Sequence, residues 1–178
     1  HCQKLLVKKY NYMKVYDTNV IKDQFPALQR KVWDKKLVYL DSAASMQKPK
    51  RVLDAISKSY SFNYSNVHRG LHKLSEEATA NYEGSRIKVA KFINCSENEV
   101  IFTSGATAAL NLVAYSWGMN NLSDSDEIII TIAEHHANIV PWQIIAKQKN
   151  VKIKAAHVDP NSEFNPEIIR DLVTDKTR

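Results

Sequence analysis

The stretch Ile101-Phe102-Thr103-Ser104-Gly105-Ala106-Thr107, followed by apolar residues at helical spacing from Ala108 to Trp117, decides the fold. It predicts a strand, a tight turn at Gly105 and a helix. The first N–H groups of such a helix have no intrahelical partner and carry the positive end of its dipole, so the turn suits a phosphate. Thr107 adds a hydroxyl. An ordinary capped helix with glycine at its turn is the competing reading. The stretch lacks the lysine of a P-loop and the three glycines of a dinucleotide fingerprint, so it points to neither nucleotide class.

Outward from this stretch, strands and helices alternate: strand 99–103, helix 106–117, strand 127–132, helix 138–148, strand 151–157 and helix 165–173. Alternation at these lengths predicts an α/β architecture, a mixed, mostly parallel sheet with helices on both faces. Upstream, Val20, Ile21 and Phe25 mark a short helix over 17–25, capped by Asp17 or Thr18 and ended by Pro26. Residues 37–40 read as a short strand. Pro49 then opens a helix through about Tyr60 with Val52, Leu53, Ile56 and Tyr60 on one face. The longest helix runs from its expected cap, Ser75, to Ile93, with Ile87, Val89, Ala90 and Ile93 as its later apolar stripe. Asp175-Lys176-Thr177-Arg178 follows the last helix where a further strand is due, and an α/β sheet cut there leaves a bare edge. The chain therefore reads as the front part of a longer protein.

The 178 residues are 44% hydrophobic and 25% charged, ordinary values for a globular protein. The net charge of +6 comes from lysines spread along the chain, with no basic and aromatic interleaving, so a solvated basic surface is expected and no nucleic-acid partner. Cys2 and Cys95 stand far apart, which excludes a disulfide framework and a cysteine metal site. No apolar run approaches the roughly 20 residues that cross a bilayer, so no membrane span is expected. Residues 1–16 are basic, contain no acid and read as a leader remnant or a disordered segment. Residues 17–36 read as an N-terminal helix segment and 37–178 as the front half of a large domain. The abundance of Lys, Asn and Ile points to an AT-rich coding sequence.

In an open α/β sheet, ligands collect beyond the carboxyl ends of the strands. Ser104 to Thr107 leaves one predicted strand there and Glu134-His135-His136-Ala137-Asn138 leaves the next, so a phosphate turn and an imidazole are expected to share a crevice. Neighbouring side chains of an extended loop point opposite ways, so at most one of His135 and His136 faces the ligand. Asn138 is expected to cap the following helix, whose first turn tolerates Pro141, and Trp117 and Trp142 are expected to pack. His68 and His72 are four apart, but Gly70 between them weakens the helix a zinc pair needs, and no metal site is expected. Cys95 is expected to be an incidental thiol.

Five motifs carry a resemblance: Tyr39-Leu-Asp-Ser-Ala-Ala-Ser-Met-Gln-Lys-Pro49; Val67-His-Arg-Gly-Leu-His72 with Leu74-Ser75; Phe102-Thr-Ser-Gly-Ala-Thr107; Asn111-Leu-Val-Ala114 with Ser116-Trp-Gly118; and Glu134-His-His-Ala-Asn-Ile-Val-Pro-Trp142. In this order and spacing, from about Asp23 to Arg178, the chain resembles the SUF-type cysteine desulfurases. These are pyridoxal-phosphate enzymes of the aspartate-aminotransferase fold, also called fold type I. The resemblance implies pyridoxal 5'-phosphate as cofactor, held at its phosphate by Ala106 and Thr107. It implies His135 as the imidazole over the coenzyme ring and a catalytic residue able to move protons. His68 and Arg69 would lie near the substrate mouth, bordered by Ala43 and Ala44. L-cysteine would be converted to L-alanine, leaving persulfide sulfur for a SufE-like acceptor and iron–sulfur cluster assembly, in a homodimer.

The family's cofactor-bearing lysine, its persulfide cysteine, the aspartate at the pyridine nitrogen and the substrate-carboxylate arginine belong to a later half. Residues 1–178 alone are therefore expected to be inactive. Two departures stand out: many SUF-type members carry Thr where Ala106 stands and an acid where Ala108 stands. Alternatives within the fold are a selenocysteine lyase or a kynureninase-like enzyme, and outside it a non-catalytic, partner-binding homologue. The family habit and the acid-poor leader imply a plastid, the apicoplast, with bacterial cytoplasm as the alternative.

Overall fold

The computed structural model describes residues 17–158 and 165–178. The expected leader at 1–16 lies outside them. The chain divides into two compact units, one ending at Glu99 and the other spanning Val100–Arg178.

In the first unit, Asp17 accepts the Asn19 N–H at 2.9 Å and caps helix α1, Thr18–Asp23. A 3-10 turn, Pro26–Gln29, leads into a hairpin of β1, Lys31–Val32, and β2, Lys35–Lys36. Trp33 and Asp34 both have positive φ, the combination that matches a two-residue turn to the twist of its strands. The expected strand 37–40 is not formed. Leu37 donates to Arg30 and ends the hairpin, and beyond it Leu40 is 91% exposed, with no strand to pair with among the described residues. Helix α2, Lys50–Phe62, forms as expected, although its apolar face is exposed.

Helix α3 spans Lys73–Ile93, with His72 at its N-cap position and Asn94, in the left-handed conformation, at its end. Ser75 is thus inside the first turn. It is 1% exposed, and its hydroxyl accepts the Gly70 N–H at 3.0 Å while donating to the Asn66 carbonyl at 2.6 Å. That loop closure takes the hydroxyl from capping. Of the expected apolar stripe only Ala90, 3% exposed, is buried.

The second unit is built on two parallel strands, β3, Glu127–Thr131, and β4, Lys152–Ala156, in register from Glu127 opposite Lys152 to Thr131 opposite Ala156. On the other edge of β3, Thr177 makes a parallel bridge with Glu127. Both edges of β3 are therefore taken. Among the described residues, the expected strand 99–103 is in neither of the two sheets. Ile128 and its register partner Ile153, with Ile130, turn towards a core of Ala114, Leu122, Ile145, Ala146 and Val151. On the opposite face, the buried Glu127 carboxylate meets Lys154 Nζ at 2.6 Å and accepts the Thr174 hydroxyl at 2.6 Å. The Lys154 hydrogen bond, followed by that of Thr174, holds this carboxyl below the ordinary glutamate range against the opposing effect of burial.

The predicted helix 106–117 is a continuous rod of three pieces: α4, Ala106–Val113; a π-helical segment, Ala114–Gly118; and α5, Met119–Asn121. Helix α6, Val140–Lys149, packs on the π segment and on β4, and carries Pro141 in its first turn, where a missing N–H costs nothing. The last helix, α7, is only Glu167–Arg170, shorter than the expected 165–173. Gly118 is the point of closest approach between rod and α6. A methyl group there would come within 3.2 Å of the Trp142 ring and 3.5 Å of Ile145, itself fully buried. Gly118→Val overpacks this contact and is expected to lower stability by about 1–3 kcal/mol, measured by urea unfolding of the full-length protein.

Candidate active site

Gly105 has φ 160° and ψ 177°, an extended backbone rather than a left-handed turn, so the expectation that glycine is needed there to turn the chain is corrected. What its missing side chain leaves is room: a Cβ on Gly105 would meet nothing within 4 Å. The Thr103 hydroxyl donates to the Gly105 carbonyl at 3.0 Å, and Ala109 donates to the same oxygen as the first α-helical bond. The N–H groups of Gly105, Ala106, Thr107 and Ala108 find no acceptor among the described residues. They lie at the exposed N-terminus of α4 with the Ser104 and Thr107 hydroxyls beside them. Such a set of donors, unblocked by a side chain, fits a phosphate dianion.

Helix α4 lies against the 3-10 turn His136–Asn138, with Cα atoms of the two within 8 Å. Helix α4, which begins at Ala106 and Thr107, and the 3-10 turn that follows His135 thus belong to the same unit and touch as elements. His135 stands at the N-cap of that turn, its Nδ1 accepting the Ala137 N–H at 3.1 Å. The rings of His135 and His136 are set at 85°, edge to face. Asn138 is not the helix cap expected of it. Its amide donates to Glu134 Oε2 at 2.9 Å and its carbonyl oxygen accepts the Trp142 indole N–H at 3.2 Å, while Glu134 Oε1 accepts the Thr131 hydroxyl at 3.1 Å. Its neighbours four residues to either side, Glu134 and Trp142, claimed the side chain. Thr131, Glu134, Asn138, Trp142 and Trp117 line part of a cleft of about 270 Å3 on this unit.

The other sequence-predicted residues lie in the first unit. Ala43 and Ala44 sit in an exposed turn, framed by the Ser45 N–H donating to Asp41 and by the Tyr39 hydroxyl donating to the Ser45 carbonyl. Arg69 is exposed. His68 has φ 72°, a conformation that costs a non-glycine residue energy and persists only where neighbours enforce it. Here the His68 N–H donates to the Thr79 hydroxyl at 2.9 Å, and its Nε2 lies 2.7 Å from Glu83 Oε1. Its ring stands edge-on to Tyr82, over which the Arg86 guanidinium lies. Arg86 also reaches Glu83 Oε2 at 3.0 Å. Glu83 was not singled out by any motif; its only sequence signal is its place on the same α3 face as Thr79 and Arg86.

The hydrogen bond to His68 is the largest influence holding the Glu83 carboxyl below its ordinary range, with partial burial opposing it and Arg86 adding to it. A lowered folded-state value means a contribution present above the unfolded glutamate pKa and lost as pH falls through the folded one. Glu83→Gln is therefore expected to flatten the acid limb of the stability profile in that window, read by urea midpoints across pH 3–6 (about the carboxylate range). Gly70→Ala is expected to be costlier, since a Cβ there would sit 2.4 Å from Ser75 Cβ and Oγ. The clash falls on the loop carrying His68 and Arg69, and a loss of about 1–3 kcal/mol is expected in the same assay.

The aminotransferase class-V family model matches residues 38–178. A probable cysteine desulfurase of Synechocystis sp. is 47% identical over 159 residues, covering 89% of this chain and 38% of the relative. One from Staphylococcus aureus is 46% identical over 164 residues, covering 92% of this chain and 40% of the relative. The crystal structure of the cysteine desulfurase CsdA from Escherichia coli aligns with a TM-score of 0.76 at 36% identity, over 93% of this chain and 40% of that one. The chain spans about two fifths of the length of these proteins.

Proposed function

We propose that this chain, which belongs to the aminotransferase class-V family, carries the phosphate grip and the ring-facing imidazole of a pyridoxal-phosphate-dependent cysteine desulfurase. The observation that carries this reading is the contact of α4, with its unsatisfied N–H groups, against the His135 turn within one compact unit. Similarity to probable cysteine desulfurases along about nine tenths of the chain supports the choice of reaction. The proposed conversion takes L-cysteine to L-alanine and leaves the sulfur on the enzyme.

Ala106 and Thr107 are the residues that would hold the coenzyme phosphate, and His135 the one that would meet its ring. When bound, the coenzyme supplies an electron sink for bond cleavage at the amino acid. The chain's own part is to grip an anion with amides already pointed at it, at no cost of rearrangement. The absence of a threonine hydroxyl at Ala106 leaves backbone donors and the Thr107 hydroxyl to do so. His68, Arg69, Ala43 and Ala44 are the residues proposed to meet the substrate. Delivery of the sulfur to a SufE-like acceptor for iron–sulfur cluster assembly, a homodimeric state and a plastid location belong to the same reading. The five ordered motifs of the SUF type support the first two, and the AT-biased composition and acid-poor leader support the last.

Ala106→Pro tests the grip. Position 106 is the first residue of the helix and follows an extended residue, so proline fits without breaking the helix and removes one N–H. Loss of one hydrogen bond to a charged group, about 1.5–3 kcal/mol, is expected to weaken coenzyme binding by about tenfold or more, measured by absorbance titration of the full-length apoprotein. The full-length protein is expected to release alanine from L-cysteine in preference to L-selenocysteine or kynurenine. Preference for either competitor, or no release at all, overturns the desulfurase assignment.

A further inference from the structure

The imidazole of His135 has only one ring nitrogen left for chemistry. Its Nδ1 accepts the Ala137 N–H at 3.1 Å, which in the neutral ring requires the proton to sit on Nε2, at the far edge. The opposite tautomer would aim two N–H groups at each other. Ala137 is in turn held by the hydrogen bonds that straddle it: Glu134 on one side and Asn138 on the other are joined at 2.9 Å, Asn138 is tied to Trp142 at 3.2 Å, and Glu134 is tied to Thr131 at the end of β3. All the hydrogen-bonding atoms of the Asn138 side chain that these contacts use are oriented by them, which fixes the amide's sense: NH2 to the carboxylate, oxygen to the indole.

We propose that Asn138 is a positioning residue for His135: the Glu134–Asn138–Trp142 relay holds the Ala137 amide on Nδ1 and thereby presents the ring as the Nε2–H tautomer. The inference deepens the reading of His135 as the imidazole that meets the coenzyme, and rests on it for its functional meaning. His136 of its own loop stands edge-on to the ring, and the Glu134 carboxylate beside it in sequence is taken by Thr131 and Asn138; of the two helices packed against the turn, α4 contributes no charged group from Ala106 to Val113 and α6 carries its only charges, Lys147 and Lys149, in its last turn. The hydrogen bond from Ala137 is therefore the contact on the ring that sets the tautomer.

The test uses full-length holoprotein labelled with 15N-histidine. In the unaltered protein, His135 is expected to show a proton-bearing Nε2 and an acceptor Nδ1. Asn138→Ala is expected to mix the two tautomers and to lower kcat by about ten- to a hundredfold, the scale of a small misplacement of a reacting group, with KM little changed. The exchanged pair Glu134→Gln with Asn138→Asp keeps the net charge and reverses the donor and acceptor, so it is expected to restore the original tautomer. Trp142→Phe keeps the ring in the core, removes one bond of the relay and moves the ratio in the same direction by less. A proton on Nδ1 in the unaltered protein overturns the proposal. So does an unchanged His135 spectrum in Asn138→Ala or, if that variant does not fold, in Trp142→Phe. The spectrum is read without turnover, so a protein that releases no alanine yet shows these shifts refutes the desulfurase reading and leaves the tautomer assignment standing.

Discussion

Where Gly118 meets Trp142, the second unit depends on an absent side chain. The rod from Ala106 to Asn121 and helix α6 approach so closely that one methyl group would press on the indole at 3.2 Å, and the residues around the contact, Ile145 and Leu122, are the largest fully buried apolar side chains among the described residues. Close packing of this kind transmits small shifts instead of absorbing them. Trp142 faces both ways: its ring closes the contact with Gly118, and its N–H ends the relay that holds the His135 turn. One side chain thus couples the seating of two helices to the setting of an imidazole. The local change to π-helical winding occurs at this same contact, in Ala114–Gly118, consistent with a rod rewound to bring small residues to α6.

The two units treat their polar groups in opposite ways. At the start of α4, four donors are left to water, which costs little while they are exposed and keeps them available to an anion. Around His68 the backbone N–H groups of His68 and Gly70 and the imidazole Nε2 are all engaged by α3, because a left-handed residue needs neighbours to enforce it. Thr79, Glu83 and the Gly70–Ser75 closure supply that enforcement, and each is a side chain or a missing side chain of α3 and its lead-in. Helix α3 therefore contributes less through apolar burial, where only Ala90 is well covered, than as a rigid rack for one loop.

Helices were legible in the amino-acid pattern because their hydrogen bonds are internal: α1 with its Asp17 cap, α2, α3, the rod and α6 all lie near their expected positions. Residues 37–40 have a strand-like sequence but no ladder among the described residues, since pairing depends on a neighbour that no local pattern specifies. The same distinction governs the side chains. Ser75 and Asn138 have the right chemistry for helix caps, but Asn66 and Gly70 took one, and Glu134 and Trp142 the other. The motifs singled out Ala106, Thr107 and His135, whereas Glu83 emerges only when the fold brings it to His68, fifteen residues away, and the relay only when the turn sets Glu134, Asn138 and Trp142 within hydrogen-bonding range.

The parallel pair β3 and β4 is joined through a single helix, so every contact of that crossover is made within a short length of chain. Closing a short loop costs less entropy than closing a long one. The stretch from Glu127 to Ala156 thus pairs one edge of β3 from within itself and leaves the other edge, at Glu127, to be bridged by Thr177 later in the chain.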